Sequence, residues 1–219
     1  MKNRLIIFDL DGTLLNTIGD LAVGCDHMLK LRGLPTHTYE QYCSFVGNGI
    51  LRLVERALPE ELRTEEYVKA ARKDFVDFYI DNIDTHTVPY NGMAELVEGL
   101  YRDGAKLAVA SNKFQAGTDK LIRKFFPDID FVEICGNREG VPLKPDTALV
   151  DFILEKAGVE RDRVAMVGDS GVDIQTARGA GITSVGVSWG FRSREELEAN
   201  RADYIVSSAE ELLKVLEEF

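Results

Sequence analysis

The sequence contains few histidines and few cysteines. None of its three histidines, His27, His37 and His86, has a cysteine at the spacing of zinc ligands, which argues against a zinc site. We assign these histidines no role. The three cysteines are odd in number and form no CxxC pair, so we expect reduced thiols in a cytoplasmic protein.

Long hydrophobic runs and positive charge are also scarce. No apolar run approaches the roughly 20 residues of a membrane span, and Asp9 and Asp11 interrupt the first one too early for a signal peptide. The chain has 26 Lys and Arg against 37 Asp and Glu, a formal net charge of −11. A field of that sign repels phosphate backbones, so we expect neither a membrane nor a nucleic acid as a partner. A small phosphorylated substrate remains compatible with this net charge, because one bound metal ion makes the local potential positive.

The 219 residues suffice for one large domain, or for one core with a modest insertion. Near-continuous apolar runs, typical of strands buried on both faces of a parallel sheet, alternate with helical patterns. The predicted strands are residues 4–8, 106–110, 131–134, 164–167, 182–187 and 204–206. Between residues 14 and 86 only helical spacings occur. We therefore predict an α/β fold, with a Rossmann-like parallel sheet core over 1–14 and 88–219 and an inserted all-helical cap over 15–87.

Polar side chains follow these strands where ligands of parallel sheets bind. They are Asp9 and Asp11, then Ser111, Asn112 and Lys113, then Asp169, Ser170 and Asp173, with Lys144 opening the helix before the fourth strand. Four crowded carboxylates need a cation, and oxygen ligands alone favour Mg²⁺. A lysine and a hydroxyl at the same edge suit phosphoryl oxygens. The pattern thus predicts a metal-dependent phosphate site.

Within this site, Asp9 is the candidate nucleophile, because carboxylates form aspartyl-phosphate intermediates. Asp11 lies two residues on, where it is placed to protonate a leaving alcohol and then to take a proton from water. Gly12 permits a sharp turn, and Thr13 is a candidate to hydrogen-bond across the loop. Arg192 and Arg194 are interpreted as surface charge.

The inserted helices contain one turn-prone stretch, Gly47-Asn48-Gly49. Two glycines allow close backbone approach to a ligand, and Asn48 offers a donor and an acceptor, so the stretch is a candidate for contacting the leaving group. A plain interhelical turn is the alternative. Arg52 is a candidate for meeting a substrate carboxylate, with a solvated helix charge as the alternative.

Four segments in this order resemble the four motifs of the haloacid dehalogenase superfamily. They are Asp9-Leu10-Asp11-Gly12-Thr13-Leu14, Ser111-Asn112-Lys113, Lys144-Pro145 and Gly168-Asp169-Ser170-Gly171-Val172-Asp173. Two further stretches are similar to those of the phosphoglycolate phosphatase group, namely Phe45-Val46-Gly47-Asn48-Gly49 and Val187-Ser188-Trp189-Gly190. The resemblance covers the whole chain.

This resemblance implies a Mg²⁺-dependent phosphatase in which Asp9 is the nucleophile and Asp11 the general acid and base. The ion would be held by the Asp9 carboxylate, the Asp11 carbonyl and Asp169, with Asp173 supporting. Ser111 and Lys144 would hold the phosphoryl oxygens, beneath a mobile cap. The substrate-binding residues that we expect are Gly12, Thr13, Gly47, Asn48, Arg52 and Asn112.

The chain differs from the patterns of some family members, and two of these differences bear on which reaction it catalyses. Thr147 stands where the family often has a second proline after Lys144. Asp11 is usually missing from true dehalogenases, so its presence favours phosphate chemistry. Thr13 stands where the sugar-phosphate mutases usually have valine, and no cap histidine follows it.

Several functions remain open at this point. The leading hypothesis is hydrolysis of a small, 2-phosphoglycolate-like monoester by a monomer or homodimer. Pyrophosphatase, nucleotidase and sugar-phosphate phosphatase or mutase activities are alternatives, because specificity depends on the cap. A phospho-acceptor signalling module is the non-enzyme alternative, although such modules are about half this length and have no inserted cap.

Overall fold

The computed structural model describes residues 1–218. In chain order the strands are β1 (Leu5–Phe8), β2 (Leu15–Asn16), β3 (Val88–Pro89), β4 (Lys106–Phe114), β5 (Glu133–Asn137), β6 (Val164–Gly168), β7 (Thr183–Val187) and β8 (Tyr204–Val206). Six of them form a central parallel sheet with the order β5-β4-β1-β6-β7-β8. All four residues of β1 are fully buried, because helices cover both faces of the sheet. The predicted α/β fold class is confirmed.

The helices fall into two groups along the chain. Those between β2 and β3 are α1 (Ile18–Leu31), α2 (Tyr39–Phe45), α3 (Gly49–Ala57) and α4 (Glu65–Asn82), with a short 3₁₀ helix at Glu60–Leu62. Those after β3 are α5 (Met93–Arg102), α6 (Gln115–Phe125), α7 (Ala148–Ala157), α8 (Gly171–Gly179), α9 (Arg194–Ala199) and α10 (Ala209–Glu218), with a 3₁₀ helix at Arg161–Arg163. The first group packs together through buried side chains such as Phe75 and forms the cap.

The chain enters and leaves the cap through a pair of short strands. Strand β2 pairs antiparallel with β3, with Leu15 opposite Pro89 and Asn16 opposite Val88. The expectation of no strand between residues 14 and 86 is therefore wrong at β2. Two residues are too few to show an alternating pattern, and their partner strand is distant in sequence. We retain 15–87 as the proposed extent of the cap, and this pairing supports it.

Strand β4 is longer than its apolar run predicts. It continues through Ser111, Asn112 and Lys113 to Phe114, so these polar residues form its end rather than a following loop. Its register with β5 shifts between Ala110 and Phe114. Such an irregularity re-aims side chains that strict alternation would send to opposite faces. All three polar residues consequently reach one cavity.

Within residues 1–218, no helix combines the length and apolar character needed to cross a bilayer.

Candidate active site

Three neighbouring strands of the sheet place the predicted site residues at one edge. Strand β1 pairs with β4 on one side and with β6 on the other, so the carboxyl ends of the three strands meet. The Asp9 N–H donates to the Val167 carbonyl at 2.9 Å, which fixes Asp9 beside the end of β6. Asp169 follows β6, and Asp173 lies in the first turn of α8. This is the strand edge at which parallel sheets bind ligands.

Three buried carboxylates form a cluster beside Lys144. The Lys144 ammonium donates to Asp9 Oδ1 at 2.9 Å and to Asp173 Oδ1 at 2.6 Å. Asp9, Asp169 and Asp173 each offer an oxygen within 4.8 Å of the others. The Lys144 ammonium thus contacts two of three neighbouring acidic groups, each of which is 8% exposed or less. The cluster carries more negative than positive charge unless a proton or a cation is added.

The pKa shifts of these groups follow from their burial and from the excess of negative charge. Burial raises the pKa of the Asp9 carboxyl to about 6, opposed by Lys144 and reinforced by Asp173. Burial also raises the pKa of Asp169 well above its ordinary range, with further increases from the charges of Asp173 and Asp9. Burial favours a lower pKa for Lys144, but Asp173 and Asp9 outweigh it and raise that pKa. A nearby divalent cation would therefore stabilise the ionised forms of Asp9 and Asp169.

The donor set of the cluster fits a small, hard divalent cation. Asp9, Asp169 and Asp173 supply oxygen atoms alone, and neither histidine nor cysteine lines the cavity formed by the described residues. Oxygen ligands in a compact arrangement are those that Mg²⁺ prefers. Members of the family that the motifs indicate generally use a divalent metal, and these residues can hold one.

The loop after β1 approaches this cluster closely at Gly12. The Gly12 backbone has a φ of +91°, and a Cβ at this position would lie 2.3 Å from Asp169 Oδ2. Any side chain would therefore displace a predicted metal ligand as well as strain the backbone. The Asp169 carboxylate also accepts the Phe191 N–H at 2.7 Å. Its position is thus fixed from two sides.

Asp11 lies beside the cluster and has its own cation. Its carboxylate accepts from the Lys113 ammonium at 3.0 Å, and the same ammonium donates to the Tyr79 hydroxyl of α4 at 2.7 Å. The Lys113 side chain is 1% exposed. Lys113, to which we assigned no role from sequence, therefore holds Asp11 and contacts the cap.

The Asn112 side chain joins the lysine segment to the cap. Its Oδ1 accepts the Lys144 N–H at 2.9 Å, and its Nδ2 donates to the Lys144 carbonyl at 3.1 Å. The same Nδ2 donates to the Gly47 carbonyl at 3.0 Å. Asn112 thus positions the backbone of Lys144 and contacts the turn that the sequence singled out in the cap.

These groups surround a cavity of about 40 Å³ between the core and the cap. Its floor is polar and includes Ser111 and Lys144 beside the carboxylates. Its cap side is mainly apolar and comprises Leu21, Val46, Ile50 and Leu53, with the backbone of Gly47 and Gly49. A single water needs on the order of 10–15 Å³ by the same measure, so the cavity admits a compact group.

Four expected substrate-binding residues lie outside this lining. Gly12 and Thr13 form the turn beneath it, and the buried Thr13 hydroxyl has no hydrogen-bond partner within residues 1–218. Asn48 points away, with its Oδ1 accepting from Arg56 at 2.8 Å. The Arg52 side chain is 60% exposed and pairs with Glu55. Of the six expected residues, the structure brings Gly47 and Asn112 to the cavity.

Sequence reasoning assigns no site role to Phe191 and Arg192, which follow β7. Phe191 and Arg192 both line the cavity, and the Arg192 guanidinium contacts backbone carbonyls of the cap. The sequence predicts Arg192 to be surface charge, and the structure corrects this, because the side chain is only 18% exposed. No local pattern distinguishes it from Arg194, which is exposed and pairs with Glu198. Only the position of the cap makes the two arginines different.

Comparisons with known proteins identify the family of this chain. The family model of the haloacid dehalogenase-like hydrolases matches residues 6–187. The phosphoglycolate phosphatase of Vibrio parahaemolyticus is 32% identical over 97% of this chain and 96% of its own. That of Mesorhizobium japonicum is 34% identical over 90% and 88% of the two chains. A crystal structure from Lactobacillus delbrueckii subsp. bulgaricus has a TM-score of 0.91 at 32% identity and covers 99% of both chains.

The chain therefore belongs to the haloacid dehalogenase-like hydrolases. It is an enzyme, similar over nearly its whole length to the phosphoglycolate phosphatases, which are phosphoric monoester hydrolases. This assignment decides against the phospho-acceptor signalling module.

Proposed function

We propose that the protein hydrolyses a small phosphate monoester, 2-phosphoglycolate or an ester of similar size, with Mg²⁺ as its metal. The observation that carries the proposal is the buried Lys144 ammonium, held by Asp9 and Asp173 at the floor of a cavity closed by the cap. A buried cation beside a carboxylate nucleophile suits a phosphoryl group, whose transfer depends on positioning and charge neutralisation.

The residues divide the reaction between them. The Asp9 carboxylate attacks phosphorus, and the ester oxygen leaves as an alcohol with a proton from Asp11. Water then attacks the phosphorus of the aspartyl-phosphate, Asp11 takes a proton from that water, and inorganic phosphate leaves with Asp9 restored. Ser111 and Lys144 hold the non-bridging oxygens throughout.

The metal would be held by carboxylate oxygens of Asp9 and Asp169 and by the Asp11 carbonyl, with Asp173 supporting. When bound, Mg²⁺ supplies positive charge that offsets the phosphoryl and carboxylate charges. The hydrogen bonds of Lys144 and Asn112 position the floor of the cavity, and Lys144 shares the Asp9 carboxylate with the proposed metal site.

The size of the cavity favours a small leaving group. About 40 Å³ beneath an apolar cap surface accommodates a phosphoryl group with few further atoms. A nucleoside would require a wider separation of cap and core. The three cysteines are unpaired, in keeping with the cytoplasmic location that we propose.

A substrate panel tests this proposal. It contains 2-phosphoglycolate, sugar phosphates, nucleotides, pyrophosphate and an aryl phosphate, each assayed for phosphate release with Mg²⁺. We expect the highest kcat/KM for the smallest monoesters. A preference for nucleotides or pyrophosphate would contradict the proposed substrate class, and no turnover of any ester would contradict the proposed reaction.

The metal site is tested by Asp169→Asn. Burial raises the pKa of Asp9 and of Asp169, so the contribution of these two carboxyl groups to the stability of the metal-free protein falls as the pH rises from about 4, where the unfolded carboxyls ionise first. Without metal, the variant should therefore be at least as stable as the wild type at pH 7. Mg²⁺ at 100 times its Kd should stabilise the wild type by about 2.7 kcal/mol and the variant much less.

Thermal unfolding with EDTA or Mg²⁺ measures both effects, and phosphate release in the same buffers should require Mg²⁺. Asp128→Asn, which removes an exposed carboxylate, is the control for the change in net charge. An equal Mg²⁺ stabilisation of wild type and Asp169→Asn would contradict the assignment.

The cap turn is tested by Gly47→Val. Gly47 lines the cavity with a φ of +113°, and a Cβ there would lie 3.4 Å from Arg192 Nη2. The substitution should hinder closure, reduce kcat/KM about tenfold or more for the best substrate and change the ranking of the panel. Gly33→Val is a matched control, because Gly33 has a φ of +67° in an exposed cap turn with open space around it. If both variants keep the wild-type ranking and rates, specificity depends on other residues.

A further inference from the structure

The Arg192 side chain connects the core to the cap through backbone carbonyls. Its Nη1 donates to the Cys43 carbonyl at 2.7 Å, and its Nη2 contacts the carbonyls of Val46 at 2.5 Å and Ser44 at 3.5 Å. The contact with a carboxylate of its own segment is longer, with Nε 3.6 Å from Glu196 Oε2. The closest partners of this guanidinium therefore belong to the cap.

These carbonyls are suited to a cation. Cys43 and Ser44 lie in the last turn of α2, and Val46 follows its end. The last carbonyls of a helix have no partner within the helix and carry partial negative charge. A guanidinium presents several donors in a fixed, planar arrangement, so one side chain can satisfy more than one of them.

The segment that carries Arg192 also contacts the reaction centre. The preceding residue, Phe191, donates its N–H to the Asp169 carboxylate at 2.7 Å, and both residues line the cavity. On the other side of the cavity, Asn112 donates to the Gly47 carbonyl at 3.0 Å. The cap segment 43–47 is thus held from two points of the core that both lie next to the predicted catalytic groups.

We infer that Arg192 is the positioning residue that closes the cap over the active site. Closure matters because phosphoryl transfer benefits from excluding bulk water, and because a cavity of about 40 Å³ must open to admit substrate and to release product. The effect of cap closure on catalysis rests on the proposed function. The hydrogen bonds from Arg192 to backbone carbonyls of the cap do not depend on which ester is the substrate.

Hydrogen exchange of the cap segment tests the inference directly. With Mg²⁺ and inorganic phosphate present, the amides of residues 43–50 should exchange about tenfold faster in Arg192→Ala than in the wild type, because the cap opens more often. Exchange in β1 should remain unchanged, which shows that the core is intact. With an aryl phosphate, kcat/KM should fall about tenfold, mainly through a higher KM.

Two variants sharpen the comparison. Arg192→Lys keeps the charge but has a single ammonium, so it should restore only part of the protection. Arg194→Ala removes the exposed neighbouring arginine and should behave as the wild type. Should Arg192→Ala not fold, Arg192→Gln removes the charge and the planar donor group, and the same exchange comparison decides the question.

Wild-type exchange at residues 43–50 in a folded Arg192→Ala or Arg192→Gln overturns the inference, whatever the activity. Lost activity with unchanged exchange would instead assign Arg192 to contact with the substrate. Faster exchange in Arg192→Ala, without turnover of any ester by the wild type, would support cap closure and contradict the proposed function. The two proposals are therefore tested separately.

Discussion

Turnover should fall by about 10⁴-fold or more when Asp9 is replaced by asparagine. An amide is a far weaker nucleophile than a carboxylate, and no aspartyl-phosphate can form on it. The Asp9 side chain lies 2.9 Å from Lys144 and close to Asp173 and Asp169, so the substitution also removes one of three crowded carboxylates. Fold stability without metal should consequently be equal to or greater than that of the wild type.

Steady-state phosphate release and acid-quench trapping of phosphoenzyme measure this effect. The wild type should yield an acid-stable phosphoprotein, and Asp9→Asn should yield none. Asp128→Asn serves again as the charge control, because Asp128 is exposed and does not line the cavity. Near-wild-type turnover by Asp9→Asn, with contamination ruled out, would contradict the covalent mechanism.

Replacing Lys144 by methionine should cost stability and activity together. The Lys144 side chain is 2% exposed and pairs with Asp9 and Asp173, so its removal leaves buried carboxylates without their cation. Breaking a buried ion pair costs about 3–5 kcal/mol when one partner remains. Loss of a cation that contacts the transferring phosphoryl group should lower kcat by about 10²–10³-fold.

Urea unfolding with EDTA or Mg²⁺ measures the stability effect. Mg²⁺ should recover part of the loss in Lys144→Met, because it restores positive charge among the same carboxylates. Lys106→Met is a matched control, since Lys106 is exposed and donates to one carbonyl, that of Ala157. Equal stability of Lys144→Met and Lys106→Met without metal would show that Lys144 is not the cation that stabilises this cluster.

The site residues at the carboxyl ends of the strands could be predicted, because each follows a pattern within a short stretch of sequence. A fully apolar run such as that of β1 predicts a buried strand, and a polar residue directly after it can lie only at the strand end. Parallel strands place their carboxyl ends on one edge, so the sequence predicts that Asp9, Ser111 and Asp169 lie on that edge. That β1 pairs with both β4 and β6, which makes these residues neighbours, came from the structure. The helical insertion was predictable for the same reason, from spacings within single helices.

The direction of individual cap side chains could not be predicted in this way. Arg52 and Asn48 are close in sequence to Gly47, but their side chains face Glu55 and Arg56 rather than the cavity. A rotation of α3 by a fraction of a turn would change which residue faces the core. Packing of α3 against α4 and α2 sets that rotation, and it involves residues distant along the chain.

The sequence by itself predicted a parallel sheet and the acidic and basic groups that follow its strands. Apolar runs and the residues that end them are short-range patterns, and the burial of the runs enforces them. Only the tertiary structure decided that β2 pairs with β3, that Lys113 holds Asp11, and that Arg192 rather than Arg194 contacts the cap. Each of these contacts joins segments far apart in the chain, so its formation depends on how those segments pack in the folded protein and not on a local pattern.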